Sequence, residues 1–310
     1  MKIVSLLPSA TEIVCALGLE ESLVGVTHEC DFPVGISSRP HLTASRISHE
    51  TMSSAEIDHA VRSQLDGHGT IYDLDTDLLA ELKPDLIITQ ELCDVCAVSY
   101  SIVKNAAKSY VADATVVSLE PNTIEDIFEN IRYVAELCGV TPKGAEVVSS
   151  LRDRLDRIKS ASAGLEKKNV FMLEWLEPPF SPGHWVPQQV EIAGGISLLG
   201  ETGKKSVTTT YEAIAEADPE FLVMIPCGYY TDDILRQLPQ TIFPKSWKSL
   251  RAIQSGQVWA LDATSYFSRP GPRVVDGAEI LAKILHPETF GAPKDSEAVK
   301  IAFESLNFES

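Results

Sequence analysis

The sequence predicts an α/β protein of two Rossmann-like lobes with mostly parallel sheets, joined by a single long α-helix. Three observations predict it. Short apolar runs alternate with amphipathic stretches in both halves, which is the pattern of strands covered by helices on both faces. A stretch from about 143 to 163 reads as one helix of about 20 residues, hence about 30 Å long. A helix end, a Pro turn and an apolar strand at Lys83-Pro84-Asp85-Leu86-Ile87-Ile88 recur at Asp218-Pro219-Glu220-Phe221-Leu222-Val223. Each is followed closely by a cysteine, as two lobes of similar construction would give. The expected boundaries are 1–140 for the first lobe, 141–166 for the connecting helix and 167–310 for the second lobe.

In the first lobe Ile3 to Leu7 reads as a strand. Ser9 and Glu12 form a Ser-x-x-Glu capping box that opens a helix ending near Gly18. Leu23 to Val26 is a second strand. Ser53 and Glu56 repeat the box ahead of the stripe Ile57, Val61 and Leu65. Leu86 to Thr89 and Thr115 to Leu119 are strands. Ile124, Ile127, Phe128, Ile131, Val134 and Leu137 line one face of a helix that stops at Gly139. The connecting helix shows the apolar stripe Val147, Val148, Leu151, Leu155 and Ile158, with charges elsewhere. In the second lobe Val170 to Leu173, Phe221 to Ile225 and Val258 to Leu261 read as strands. Val274 to Leu285 reads as a closing helix, followed by a loosely packed polar tail after His286-Pro287.

The chain carries 26 Lys plus Arg against 44 Asp plus Glu, a formal charge of −18. That balance argues against a nucleic-acid partner, which needs clustered cations, and it serves solubility. No run of about 18 apolar residues exists, so membrane insertion is not expected. Met1-Lys2 leads directly into a strand, without the pattern of an export signal. The chain as written is therefore expected in the cytoplasm, or in the periplasm where a signal has been removed. A chain of 310 residues needs no disulfides for its core. Cys15 and Cys138 sit in apolar helical patterns and read as packing residues.

In parallel α/β sheets ligands bind beyond the carboxyl ends of the strands. Those positions carry the unusual residues here: Thr27-His28-Glu29-Cys30-Asp31, then Glu91-Leu92-Cys93-Asp94-Val95-Cys96, then Glu174-Trp175 with Pro178 to Trp185, then Pro226-Cys227-Gly228-Tyr229-Tyr230, then Asp262 to Arg273. Trp175, Phe180, His184, Trp185, Tyr229, Tyr266 and Phe267 are the expected ligand-binding residues, suited to a large flat ligand in a cleft between the lobes. His28, Cys30, Cys93, Cys96 and Cys227 are the candidate metal ligands, as a thiolate metal or iron–sulphur site. Each has a plainer reading. A lone Cys-x-x-Cys is often incidental, a single loop cysteine or histidine is usually packed or solvated, and Glu174 and Asp262 cap strand ends. Cys93 and Cys96 as a thiol–disulfide pair ranks last, since the context fits a redox helix poorly. No Gly-x-Gly-x-x-Gly, Gly-x-x-x-x-Gly-Lys or Gly-x-Ser-x-Gly motif is present, so no catalytic residue is expected.

The opening Ile3-Val4-Ser5-Leu6-Leu7-Pro8-Ser9-Ala10-Thr11-Glu12, with Leu23-Val24-Gly25-Val26-Thr27 and Leu82-Lys83-Pro84-Asp85-Leu86, resembles the substrate-binding proteins of ABC importers for cobalamin and ferric siderophores. The cobalamin-binding branch is the nearer likeness. The resemblance covers most of 1–285 and implies a class III periplasmic-binding-protein fold, a monomer, no enzymatic activity, and an ABC permease as partner. It implies corrinoid contacts at Trp175, Trp185, Tyr229 and Phe267. The sequence departs from that family in lacking an export signal and in its cysteine-bearing loops. The expected function is binding of a cobalamin-like corrinoid between the lobes for uptake, storage or handover. The alternative is a metal or iron–sulphur protein using Cys30, Cys93, Cys96 and Cys227.

Overall fold

The structure, a computed structural model, describes residues 1–45, 52–68, 72–90 and 100–309. The chain divides into two compact units. The first comprises 1–48, 59–121 and 125–150; the second comprises 49–58, 122–124 and 151–310. Through the first unit and into the connecting helix run β1 (Ile3–Ser5), α1 (Pro8–Ala16), β2 (Leu23–Gly25), β3 (Thr43–Ser45), α2 (Ser54–His68), β4 (Tyr72–Leu74), α3 (Thr76–Leu82), β5 (Leu86–Thr89), α4 (Tyr100–Tyr110), β6 (Thr115–Ser118), α5 (Ile124–Leu137) and α6 (Thr141–Ser162).

Among the described residues, four strands of the first unit pair in parallel in the order β2-β1-β5-β6, with Ile3 opposite Leu86 and Ser5 opposite Ile88. Ile3, Val4, Ile87 and Ile88 are fully enclosed, as expected of strands covered on both faces. Each such side chain contributes about 1.5–3 kcal/mol by leaving water. β3 and β4 form a separate antiparallel pair that periodicity did not reveal. Three-residue strands carry too few side chains for alternation to stand out.

The second unit contains β7 (Lys168–Leu173), β8 (Phe180–Ser181), α7 (Val186–Ile192), β9 (Gly195–Ser197), β10 (Val207–Thr208), α8 (Tyr211–Ala217), β11 (Phe221–Met224), α9 (Thr231–Gln237), β12 (Ile242–Phe243), α10 (Arg251–Gln254), β13 (Val258–Ala260), α11 (Ala263–Tyr266), α12 (Val274–Leu285), α13 (Pro287–Phe290), β14 (Val299–Lys300) and β15 (Asn307–Phe308). Its main sheet has the order β14-β13-β11-β7-β9. Only β14 in that sheet runs antiparallel. The succession β9-β7-β11-β13 repeats the order β2-β1-β5-β6 of the first unit.

The repeated Pro turn is a repeated structure. Lys83 and Asp218 close α3 and α8 in left-handed conformations, with φ of 48° and 42°. Proline follows each and prevents the helix from continuing. The next acidic residue then clasps the first strand of its own sheet. The Asp85 carboxylate accepts the Lys2 N–H at 2.6 Å, and the Glu220 carboxylate accepts the Asn169 N–H at 2.8 Å. In return Asp85 N–H donates to Lys2 O and Glu220 N–H donates to Asn169 O.

Two expectations are corrected. Ser9 does not cap α1, because Pro8 already occupies the first helical position and Leu7 is the cap residue. Proline's fixed φ suits that position and starts the helix one residue earlier than Ser9 would. The Ser53–Glu56 box, by contrast, forms in both directions. The polar tail is not loose: β14 pairs with β13, β15 pairs with β12, and Ala298, Ile301 and Leu306 are buried.

In α6 the stripe Val148, Leu151, Leu155 and Ile158 is buried as its spacing requires. Arg154, on a charged face, forks onto Glu279 of α12 at 2.9 and 2.7 Å and also reaches Asp276. Such bidentate geometry, with the side chain only 26% exposed, exceeds an ordinary surface pair. Arg154→Ala is expected to cost about 1–2 kcal/mol in urea denaturation at low salt, and less in 1 M salt. An unchanged midpoint would mean the fork contributes nothing net.

Candidate functional site

The carboxyl ends of the strands hold the candidate residues in both units. In the first, Thr27 to Cys30 follow β2. The His28 ring is fixed from behind: Nδ1 lies 2.7 Å from Thr43 Oγ1 on β3, and the His28 backbone N–H donates to the same hydroxyl at 3.3 Å. The ring leans on Tyr72 of β4 with centroids 5.7 Å apart. Tyr72 in turn donates its hydroxyl to Glu29 at 3.3 Å. The β3–β4 pair is thus what positions His28. Burial is the main cause that holds the His28 pKa below its ordinary value, with His41 adding to it. Nε2 is left facing Glu29 Oε1 at 3.9 Å, with a quarter of the side chain exposed.

Cys30 behaves differently. It is buried, with its sulphur 3.1 Å from Thr11 Oγ1 and 3.4 Å from Thr27 Oγ1, and Thr11 also donates to Ser5 at 2.8 Å. This hydroxyl cluster ties the β1 and β2 ends to α1. Cys93 and Cys96 lie outside the described residues. Cys227 follows β11 in the second unit and is exposed. Among the described residues no three His, Cys, Asp or Glu side chains gather as metal ligands would.

In the second unit, Glu174 follows β7 directly. Its carboxyl group accepts the Gly183 N–H at 3.1 Å and the Ser206 hydroxyl. Removal from water outweighs these two donors and raises the Glu174 pKa to about 7. Sequence reasoning had placed Glu174 at a strand end only as a local cap. Gly183 can donate because it has no side chain: a Cβ there would lie 2.2 Å from the Ser206 nitrogen. His184 follows in a left-handed conformation, φ 51°, uncommon for a residue with a side chain. Its N–H donates to Lys204 O at 2.6 Å and its carbonyl accepts from Gly203 at 2.9 Å. Its Nδ1 is buried with no hydrogen-bond partner among the described residues, and burial, then Lys205, lowers its pKa.

The expected aromatic residues separate into two groups. Trp175, Phe180 and Tyr266 keep part of their surface open. Trp175 donates its indole N–H to Glu177 O at 3.1 Å, and its ring meets Tyr229 edge-on at 5.3 Å. Trp185, Tyr229 and Phe267 are enclosed, at 5%, 0% and 2% exposure. Trp185 donates its indole N–H to Phe267 O at 2.8 Å. The Tyr229 hydroxyl lies 3.2 Å from Ser54 Oγ, and its carbonyl accepts from Ala263 and Thr264. Buried Trp and Tyr rings need such partners for their polar ends. These three stand beneath the surface and fix its shape. Sequence pattern could not separate the groups, because loop aromatics follow no period.

Asp262 lies two residues past β13, caps α11 through Ser265 N–H at 2.8 Å, and has its pKa raised chiefly by burial. Arg273 and Arg269 offset that effect.

The whole chain shares this construction with known proteins. A vitamin B12-binding protein of Vibrio cholerae is 24% identical, covering 92% of this chain and 88% of its own. An uncharacterised ABC transporter substrate-binding lipoprotein of Bacillus subtilis is 25% identical, covering 93% and 81%. The crystal structure of a periplasmic heme-binding protein of Pseudomonas aeruginosa shares the fold with a TM-score of 0.69, at 22% identity and 93% coverage of each chain. The description "periplasmic binding protein" fits residues 3–264, from the first strand into α11. A chain matched over that span, with two sheets of the same parallel order, belongs to the periplasmic binding protein family.

Proposed function

We propose that the chain binds a corrinoid of the cobalamin type at the carboxyl ends of its strands, as the ligand-capturing partner of an ABC permease. The observation that carries the reading is the relative named for vitamin B12, aligned over 92% of this chain. The chemistry of the strand ends supports it over heme. Trp175, Phe180 and Tyr266 offer apolar ring surface to a large macrocycle. Glu174 and Asp262 follow two strands of the second unit. The amide fringe of a corrin can both donate to and accept from such carboxyl groups in either protonation state, whereas a fringe of carboxylates can only accept. Among the described residues no helix is long and apolar enough to cross a membrane, so the permease supplies the passage.

Isothermal titration with cyanocobalamin and with hemin tests the reading. A corrinoid Kd of about 1 µM or tighter, about −8 kcal/mol, is expected, with hemin at least tenfold weaker. Trp175→Ala should weaken corrinoid binding by about tenfold or more, as truncation of an aromatic anchor does. No heat with cyanocobalamin, or tighter binding of hemin, would sink the proposal.

A further inference from the structure

The His28 ring is held as a metal-binding imidazole is usually held, with one nitrogen occupied by a protein oxygen and the other presented outward. Thr43 takes the Nδ1 side at 2.7 Å. Tyr72 packs against the ring, and β3 and β4 anchor both of these residues. Among the described residues Nε2 has no hydrogen-bond partner; Glu29 Oε1, at 3.9 Å, lies beyond bonding distance. The Thr43 hydroxyl oxygen, which already accepts the His28 backbone N–H, has a second lone pair that can accept a proton carried on Nδ1. A neutral ring with its proton at Nδ1 carries its lone pair at Nε2. A purely structural histidine would use its second nitrogen, or bury it against apolar neighbours; the neighbour of this one is the Glu29 carboxylate, and a quarter of the side chain is exposed.

From this geometry we infer that His28 Nε2 is an axial ligand for the central metal of the macrocycle. The inference rests on the functional reading above and adds to it a chemical preference: a macrocycle with an exchangeable axial position is selected over one whose axial positions are firmly held. The step is a ligand exchange. The metal–water bond breaks, the Nε2 lone pair forms the new metal–nitrogen bond, water leaves, and the metal keeps its oxidation state. The partner is a metal inside a macrocycle, not a bare ion, because no third ligand stands near His28 and Glu29 among the described residues.

The test compares hydroxocobalamin, whose axial water exchanges, with cyanocobalamin, whose cyanide does not. The wild-type protein should bind the first at least about tenfold more tightly and shift its visible bands on saturation, the scale on which a positioned ligand counts. His28→Ala and His28→Gln should bring the affinity ratio to about one and abolish the shift. Thr43→Val, which frees the ring but keeps it, should lower the ratio by severalfold. Equal wild-type affinities without a band shift, or a shift retained in His28→Ala, would overturn the inference while leaving corrinoid binding intact. Absence of heat with both compounds would instead remove the functional reading on which it stands. The wild-type ratio requires no variant, so a folding defect in His28→Ala cannot mask the answer.

Discussion

Glu174→Gln should remove a loss of stability that the wild-type protein suffers as the pH rises from about 4.5 to about 7. The carboxyl group has a folded pKa near 7 against 4.5 when free, because leaving water outweighs the hydrogen bonds from Gly183 and Ser206. A raised acid pKa favours the folded state while the acid is protonated. Its contribution is complete below pH 4.5 and lost as the pH climbs through the folded value. The difference corresponds to about 3 kcal/mol at pH 8. Glutamine keeps an acceptor for Gly183 and a donor for Ser206 but cannot ionise. Urea denaturation of both proteins from pH 4.5 to pH 8 should therefore show the variant gaining on the wild type by about that amount. His184 has a lowered pKa and acts in the opposite sense, losing stability as the pH falls. It is present in both proteins and cancels in the comparison, as does Asp262. Parallel pH curves for the two proteins would show that Glu174 titrates as an ordinary carboxyl group.

Gly183→Ala should be among the most damaging single-methyl additions in the second unit. The new Cβ would meet the Ser206 nitrogen at 2.2 Å, the Lys204 carbonyl oxygen at 2.7 Å and the Lys205 carbonyl carbon at 2.7 Å. All three are backbone atoms, so no side chain can rotate aside. The segment would have to separate, releasing the Gly183 N–H from Glu174 and the Ser206 hydroxyl with it. Overpacking of this kind costs about 3 kcal/mol or more when backbone must move. Gly203→Ala is the matched control. It has φ of +76° but only the Thr123 methyl near, at 3.6 Å. It should cost about 1 kcal/mol, from backbone conformation alone. Thermal melts of both variants check the ordering, and equal losses would show that crowding at Gly183 is relieved in some other way.

Much of the fold was legible because its strands are enclosed on both faces. Leu86 to Thr89 was read with the limits the structure gives, as was the helix from Val274 to Leu285. The first is a short apolar run introduced by Pro84-Asp85, and the second repeats its apolar residues at helical spacing. Of α3 and α8 only the ends were legible, at their Pro turns, and α7 and α9 were missed; each has seven residues, too few to show a full apolar stripe. At the candidate site, position along the chain was readable and exposure was not. His28 was singled out as a loop histidine, but its fixation depends on Thr43 and Tyr72, which are distant in sequence and lie on strands that were not recognised. Glu174 could not be read as an unusual acid, because its partners arrive from Gly183 and Ser206. Trp185 and Tyr229 resembled ligand-facing rings for the same reason: what covers a loop aromatic comes from elsewhere in the chain.

The clasp that follows each Pro turn has a bearing on descent. Asp85 and Glu220 differ by one methylene, and their neighbours Lys83 and Asp218 differ in charge, yet each carboxylate reaches the first strand of its own sheet and each sheet has the same strand succession. A half-length ancestor copied end to end would leave this trace. What survives between the two copies is a hydrogen bond and a chain reversal rather than a residue, so their kinship is more visible in geometry than in spelling.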